Sequence, residues 1–274
     1  MPRLTWVDFK SLGAAYSGLT MNTQSLDQNP ADPGRLPCTI VTGATSGIGI
    51  ELTRQLAGSG VQVIAIGRNT EALRALARGD RVATYAADLS EIDALPALAA
   101  RIVSEHPDVG CLINNAGIQT NLRLDDASCS ASAIRLEVDV NLIAPMVLTQ
   151  ALLPHLQARR QTLIVNVTSG LGYVPKRTAA VYSATKAGLH LFTGALRAQM
   201  EGSTLRVVEA VMPLVDTPMT TGRGRDKLSA EQAARQLIEG LLAGNLNVYI
   251  GKARWLPWLQ RWAPHVLARI MQRD

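Results

Sequence analysis

Tyr182 and Lys186 stand at i and i+4 in the stretch YSATKAG, a spacing that places both on one face of a helix. An ammonium beneath a phenol favours the phenolate, because a positive neighbour lowers a tyrosine pKa from its usual value of ~10. A tyrosine tuned in this way serves as general acid and base. Ser169 ends the run NVTSG, at the close of an apolar strand-like segment, where open α/β sheets place their ligand crevice. Its hydroxyl can hold a substrate oxygen. Asn141 falls in the helical stretch before that strand, and its amide can support a water linking Lys186 to solvent. Taken singly each feature is commonplace, since Tyr and Lys recur at this spacing by chance and strand-end serines often bond backbone. Their combination downstream of a phosphate-type loop carries the weight.

That loop is TGATSGIG, residues 42–49, which runs off a first apolar strand and into a helix beginning near Ile48. Gly43 suits the tight turn, Gly47 lets the main chain approach a pyrophosphate, and Gly49 permits close packing of helix on strand. Thr45, Ser46 and Ile48 complete the loop, and the helix start offers free N–H groups and a favourable dipole to an anion. A lone glycine-rich loop is weak evidence; its place in the first βαβ unit makes it a dinucleotide site. The second strand ends at Ile66, followed by Gly67 and Arg68, with no acidic residue to bind a ribose 2′-OH. Gly67 leaves room, and Arg68 can pair a 2′-phosphate through two charge-assisted bonds, so NADP is expected over NAD. The plainer alternative is that Arg68 only caps a solvated loop.

The rest of the chain must hold these groups in place. Strand-like runs fall at 38–42, 61–66, 82–86, 109–113, 162–168, 205–212 and 247–250. Stretches with helical spacing lie between them at 48–58, 70–78, 91–105, 132–158, 179–201 and 229–243. This alternation predicts a single doubly wound, Rossmann-type α/β domain with a parallel seven-stranded sheet, spanning 37–251. Residues 1–36 read as a mobile N-terminal extension, with Met21 as an alternative start, and residues 252–274 as a Trp/Arg-rich tail.

Composition narrows the function. With 274 residues, 47% hydrophobic and 18% charged, the chain can bury one large core, and at 4% aromatic it must pack with small and aliphatic side chains. A net charge of +5 without a basic stripe argues against nucleic acid and suits an anionic cofactor. Cys38, Cys111 and Cys129 lack metal-ligand spacing, as do His106, His155, His190 and His265, so no metal is expected. Buried reduced thiols fit a cytoplasmic protein. No apolar run reaches the ~18 residues of a membrane span, and no continuous apolar segment near the N-terminus makes a signal peptide.

Together these residues make the chain resemble the short-chain dehydrogenase/reductase family from Cys38 to about Gly251. The pieces are TGATSGIG, Asp88-Leu89 after the third strand, NNAG (114–117), Asn141, Ser169 and the Y-x-x-x-K of Tyr182 and Lys186. The resemblance implies a catalytic tetrad of Asn141, Ser169, Tyr182 and Lys186. It implies that Asp88, with Leu89, contacts the adenine and that Asn115, with Ala116 and Gly117, lies beside the cofactor ribose. Lys186 would also bind the nicotinamide ribose, and Thr217, in MPLVDTP, would contact the carboxamide. Met212-Pro213 stand where the family has Pro-Gly, a departure next to the nicotinamide position. The runs TSGLGYVP (168–175), VYSATKAGLHLFT (181–193) and VDTPM (215–219) are similar to the DltE-like branch of oxidoreductases. The implied reaction is hydride transfer between NAD(P) and a small-molecule carbonyl or alcohol, in a homodimer or homotetramer whose helices near 132–158 and 179–201 pair.

Two segments hold residues beyond those the family motifs account for. Residues 213–228 (PLVDTPMTTGRGRDKL) follow the sixth strand and can close over substrate, with Arg223 and Arg225 available to an anionic group; a solvated loop is the commoner outcome. Residues 252–274 hold Trp255, Trp258 and Trp262, three of the four tryptophans. A tail packed over the cleft or against a partner subunit is favoured there over peripheral membrane contact. The competing functions are a cofactor-binding regulatory protein without turnover, and a membrane-surface lipid reductase.

Overall fold

All five residues of the first strand, β1 (Cys38–Thr42), are buried, with Ile40 and Val41 no more than 1% exposed. Successive side chains point to opposite faces, so such a strand needs cover on both sides, which helical crossovers supply. The structure, a computed structural model, describes residues 36–265 and 269, apart from 80, 121, 122, 127 and 128. The expected extension, except Leu36, and the end of the expected tail lie outside the described residues.

In chain order the further strands are β2 (Val63–Gly67), β3 (Val82–Ala86), β4 (Val109–Asn114), β5 (Thr162–Ser169), β6 (Leu205–Met212), the short β7 (Val215–Asp216) and β8 (Leu228–Ser229), and β9 (Asn247–Tyr249). Seven of them form the expected parallel sheet in the order β3-β2-β1-β4-β5-β6-β9. The order reverses between β1 and β4, and a ligand crevice opens over the carboxyl ends of the strands at such a switch. The helices are α1 (Gly47–Gly58), α2 (Thr70–Leu76), α3 (Leu95–Glu105), α4 (Ala131–Val138), α5 (Ala144–Gln157), α6 (Ala180–Gln199), α7 (Ala230–Leu242) and α8 (Leu256–Trp262).

Two cores result, one per face. Leu52 and Leu56 of α1 and Leu237 and Leu241 of α7 pack with Val41, Val63 and Val208. On the other face Ile102 of α3, Leu148 and Leu152 of α5 and Leu196 of α6 pack with Ile40, Ile64 and Ile164. Each of these leucines contributes about 2 kcal/mol by leaving water. Cys38 and Cys111 are buried at 7% and 0% exposure, and burial pushes both thiols up to about 12. They act as small apolar groups, as expected.

One predicted helix is interrupted. The stretch expected at 132–158 is α4, a π-helical turn over Asp139–Ile143, and α5. Pro145 has no N–H to give the carbonyl of Asn141, so a regular helical bond is missing there, and the Ala144 N–H reaches back to Asp139 O. Taken whole, Ala131–Gln157 is long enough to cross a membrane, and an 18-residue window within it has a mean hydropathy of 1.4, although no unbroken apolar run in the sequence signals one. Its apolar stripe is already covered: Ala144, Leu148, Leu152 and Leu156 are at most 1% exposed, against the sheet.

Candidate active site

The crevice is a cleft of about 1460 Å³, larger than the roughly 300–1000 Å³ of a single drug-sized site. It runs from the phosphate loop past Ser169, Tyr182 and Lys186 to the segment after β9.

At the phosphate end, Gly47 opens α1 at φ +50, a left-handed conformation that side chains rarely adopt. A Cβ on Gly49 would stand 2.1 Å from the Gly43 carbonyl oxygen, so only glycine lets helix and strand meet this closely. Ser46 is the N-cap residue, yet its hydroxyl makes no cap bond, and the first turn carries no acidic side chain. Free N–H groups, an uncommitted hydroxyl and no competing anion fit a phosphate group. Thr217 packs over this loop, its methyl 2.9 Å from where a Gly47 Cβ would stand. The room expected at Gly67 is taken by Thr45, whose Cγ2 lies 2.6 Å from a Cβ built there. Arg68 is exposed and stands 3.6 Å from Asp88 Oδ2. Asp88 Oδ1 accepts from the Ser90 N–H (2.9 Å) and hydroxyl (2.8 Å), and the Ser90 N–H is the main cause holding this carboxyl below its usual range.

The NNAG segment is held by β1. Asn115 Nδ2 donates to Thr42 O at 2.9 Å, and the Thr42 hydroxyl accepts from the N–H groups of Asn115 and Ala116, both at 3.0 Å. Asn114 Nδ2 donates to Asn166 Oδ1 at 2.9 Å, and Asn166 Nδ2 to the Thr193 hydroxyl at 2.9 Å. All three side chains are buried, and the chain of amides ties β4 to β5 and α6 beneath the cleft. Gly117 then passes between two members of the expected tetrad: a Cβ on it would lie 3.3 Å from Asn141 Oδ1 and 3.5 Å from Lys186 Nζ.

Lys186, only 3% exposed, donates from Nζ to Val167 O at 2.9 Å and lies 5.7 Å from the centre of the Tyr182 ring. Burial pushes its amine down to about 8. Tyr182 moves opposite to the sequence expectation, up to about 12. Loss of solvent around the half-buried phenol is the largest cause, and the charge of Glu137 adds to it. The nearby Ser169 hydroxyl and the charge of Arg223 oppose it. Its surroundings in the protein thus favour the protonated phenol. Ser169 also accepts from the Leu171 N–H at 3.2 Å, which fixes the turn beyond β5. Asn141 is fully buried at the π turn. Its amide is committed to the Ile118 main chain on both sides, at 2.8 Å each, and to the Thr185 hydroxyl at 3.3 Å. It braces the segment after NNAG against α6.

Behind Ser169 stands a carboxylate hub. Glu209 of β6, 3% exposed, accepts from the Thr168 hydroxyl (2.7 Å), the Tyr173 hydroxyl (3.1 Å) and His190 Nδ1 (2.9 Å). The Glu209 bond raises the His190 pKa, and burial followed by the Glu209 charge raises that of Tyr173. The hub joins the Ser169 strand, the turn after it and the helix of Tyr182.

The outer wall comes from residues 213–228 and the start of the tail. Residues 213–228 are pinned by the β7–β8 pairing, and Lys227 Nζ donates to Asp216 Oδ1 (3.0 Å) and Thr220 O (2.8 Å). Leu214, Met219, Arg223 and Arg225 line the cleft from this segment. The start of the tail completes the wall: Ala253 and Leu256 pack on Val174 and Val211, and Trp255, Trp258 and Leu259 line the cleft.

Residues 37–228 match the family model for short chain dehydrogenase. The chain belongs to the short chain dehydrogenase family. This dehydrogenase is 32% identical over 217 residues to the uncharacterized oxidoreductase DltE of Bacillus subtilis (strain 168), covering 76% of this chain and 86% of that one, as the DltE-like wording of the motifs implies. A solved short chain dehydrogenase from Burkholderia cenocepacia J2315, in complex with NADP, matches with a TM-score of 0.78 and 26% identity, over 88% of this chain and 99% of that one. A short-chain dehydrogenase from Sphingobium yanoikuyae, in complex with NADPH, matches with a TM-score of 0.73 and 25% identity, over 87% and 98%.

In this dehydrogenase the sequence motifs converge on one cleft. Gly43, Thr45, Ser46, Gly47, Ile48, Arg68, Asp88, Leu89, Asn115, Ala116, Gly117 and Thr217 all line it with Ser169, Tyr182 and Lys186. Gly49 and Asn141 do not, and act from behind by packing and bracing. Sequence reasoning missed Thr42, Asn166 and Glu209. Glu209 had a signal, a single carboxylate in the run LRVVEAVM, apolar but for it and Arg206, since a buried charge must find partners. Among the described residues no group of three His, Cys, Asp or Glu could hold a metal ion.

Proposed function

We propose that this short chain dehydrogenase reduces a carbonyl to an alcohol with NADPH, Tyr182 giving the proton and Ser169 sharing the substrate oxygen. The observation that carries the reading is the convergence of Ser169, Tyr182 and the buried Lys186 on the cleft that the phosphate loop enters. A bound nicotinamide supplies the reducing equivalent as hydride. The chain does the remainder. Ser169 and Tyr182 offer two hydroxyls to one oxygen, and proton donation by a positioned acid is worth roughly 10²–10⁴ in rate. The buried Lys186, donating to Val167 O, brings positive charge beside the phenolate that donation leaves. Arg68 at the end of β2, with the NADP and NADPH of the solved relatives, supports the phosphorylated cofactor.

Following NADPH absorbance against a panel of aldehydes and ketones tests the reading. NADPH that binds but is oxidised by no carbonyl supports the regulatory alternative instead. A clear preference for NADH, or an Arg68→Ala variant with an unchanged NADPH-to-NADH ratio, overturns the cofactor assignment. The assembly proposed with this function is a homodimer or homotetramer through the α4–α5 and α6 helices, where Leu136 and Leu191 are 38% and 70% exposed. Light scattering that gives a monomer mass removes it.

A further inference from the structure

Trp255, Trp258 and Trp262 are 56%, 57% and 67% exposed, an unusual state for the largest apolar side chain. Their spacing of three and four residues puts them on one side of the helical stretch that ends in α8. The other side is fixed. Ala253 and Leu256 are 3% and 5% exposed against Val174 and Val211, with Leu259 packed beside them. The tryptophans are thus presented by an anchored element. The guanidinium of Arg254 lies 5.4 Å from the ring centre of Trp255, and that of Arg261 5.5 Å from Trp262. Residues 251–265 contain Lys252, Arg254 and Arg261 and no Asp or Glu. Leu214 and Met219, 42% and 38% exposed, line the same cleft as Trp255 and Trp258, so the apolar face continues into the opening.

We propose that this tryptophan and arginine face rests on an anionic lipid surface, with the cleft opening onto it. An indole has an apolar body and one N–H donor, which suits the boundary between acyl chains and headgroups. Arginine beside it meets lipid phosphates through charge-assisted bonds. A second copy of the chain fits less well: a two-fold contact through this face sets its cations against the same cations, with no carboxylate in the segment to receive them. The inference does not depend on which carbonyl is reduced, but it gives an apolar substrate a direct way from lipid into the cleft.

The test is co-sedimentation of the full chain with phosphatidylglycerol–phosphatidylcholine vesicles and with phosphatidylcholine vesicles alone. The protein should pellet with the first, far less with the second, and be released by high salt. The double variant Arg261→Glu/Trp262→Ser, at two positions outside the cleft lining, should bind the anionic vesicles about tenfold more weakly and keep its affinity for NADPH. No pelleting with either vesicle overturns the proposal, as does equal pelleting of the variant. So does a dimer in light scattering that the double variant dissociates, since a second copy then covers the face.

Discussion

The inner wall of the cleft, from the phosphate loop to Tyr182, is made of polar side chains held by buried partners. The outer wall, from Leu214 to Leu259, presents Leu214, Met219, Trp255 and Trp258, apolar side chains that stand well into solvent, beside the cations Arg223, Arg225 and Arg254. Thr42, Asn114, Asn141, Asn166, Lys186 and Glu209 are each at most 3% exposed, and each has a named bond to another element of the fold. Atoms held in this way, out of water, keep their positions and feel each other's charge strongly. Trp255, Trp258 and Leu214 have few such constraints. The inner wall is suited to proton and cofactor chemistry, which fails with small displacements. The outer wall is suited to selecting and admitting substrate, which tolerates them.

The sharpest break in that contrast comes from Tyr182→Phe. Reduction should fall about 10²- to 10⁴-fold while NADPH still binds, as seen by fluorescence titration. A variant with near-normal turnover would remove the inner wall's claim to the chemistry.

Glu209→Gln probes the hub behind it. Loss of the charge that receives Thr168, Tyr173 and His190 should cost about 2–4 kcal/mol in urea unfolding. Turnover should drop about tenfold with an unchanged KM for NADPH, the pattern of lost positioning. His190 has a pKa raised by Glu209 above its unfolded value. Its contribution is therefore complete below the unfolded pKa of about 6.5 and disappears as pH rises through the folded one. In the variant this pH dependence of stability should flatten; an identical profile would show that the pair is not coupled.

Lys186→Met should be inactive yet more stable. Burial holds the wild-type amine at about 8 in place of 10.5, so folding disfavours its charged form. Wild-type stability then rises as pH climbs from about 8 to 10.5, and below that window the variant should gain roughly 1–3 kcal/mol. A lower Tm at neutral pH would mean that the bond to Val167 O outweighs the cost of burial.

Trp258→Ala should have the smallest effect, a KM for substrate changed about two- to tenfold with kcat preserved. A collapse of kcat would place this outer residue with the inner wall.

The sheet and its helices were legible almost strand by strand, because apolar runs and 3.6-residue periodicity are local properties of a chain. The phosphate loop was legible for a similar reason: glycine is required where Gly47 adopts φ +50 and where Gly49 meets a carbonyl. The pairing of Tyr182 with Lys186 follows from helical geometry alone. The sequence could not show that Asp139–Ile143 widens into a π turn, though Pro145 was in plain view, since a proline there can also kink or end a helix.

Spacing by itself determined which residues share a strand, a loop or a helix face, and through them the family and the members of its site. Only the tertiary structure decided how those members behave. Tyr182 is driven up because of what packs around it, and Lys186 is driven down for the same reason. Thr168 and Glu209 meet across 41 residues of chain. Desolvation and long-range hydrogen bonds have no period in the sequence; they exist only once distant segments close on one another.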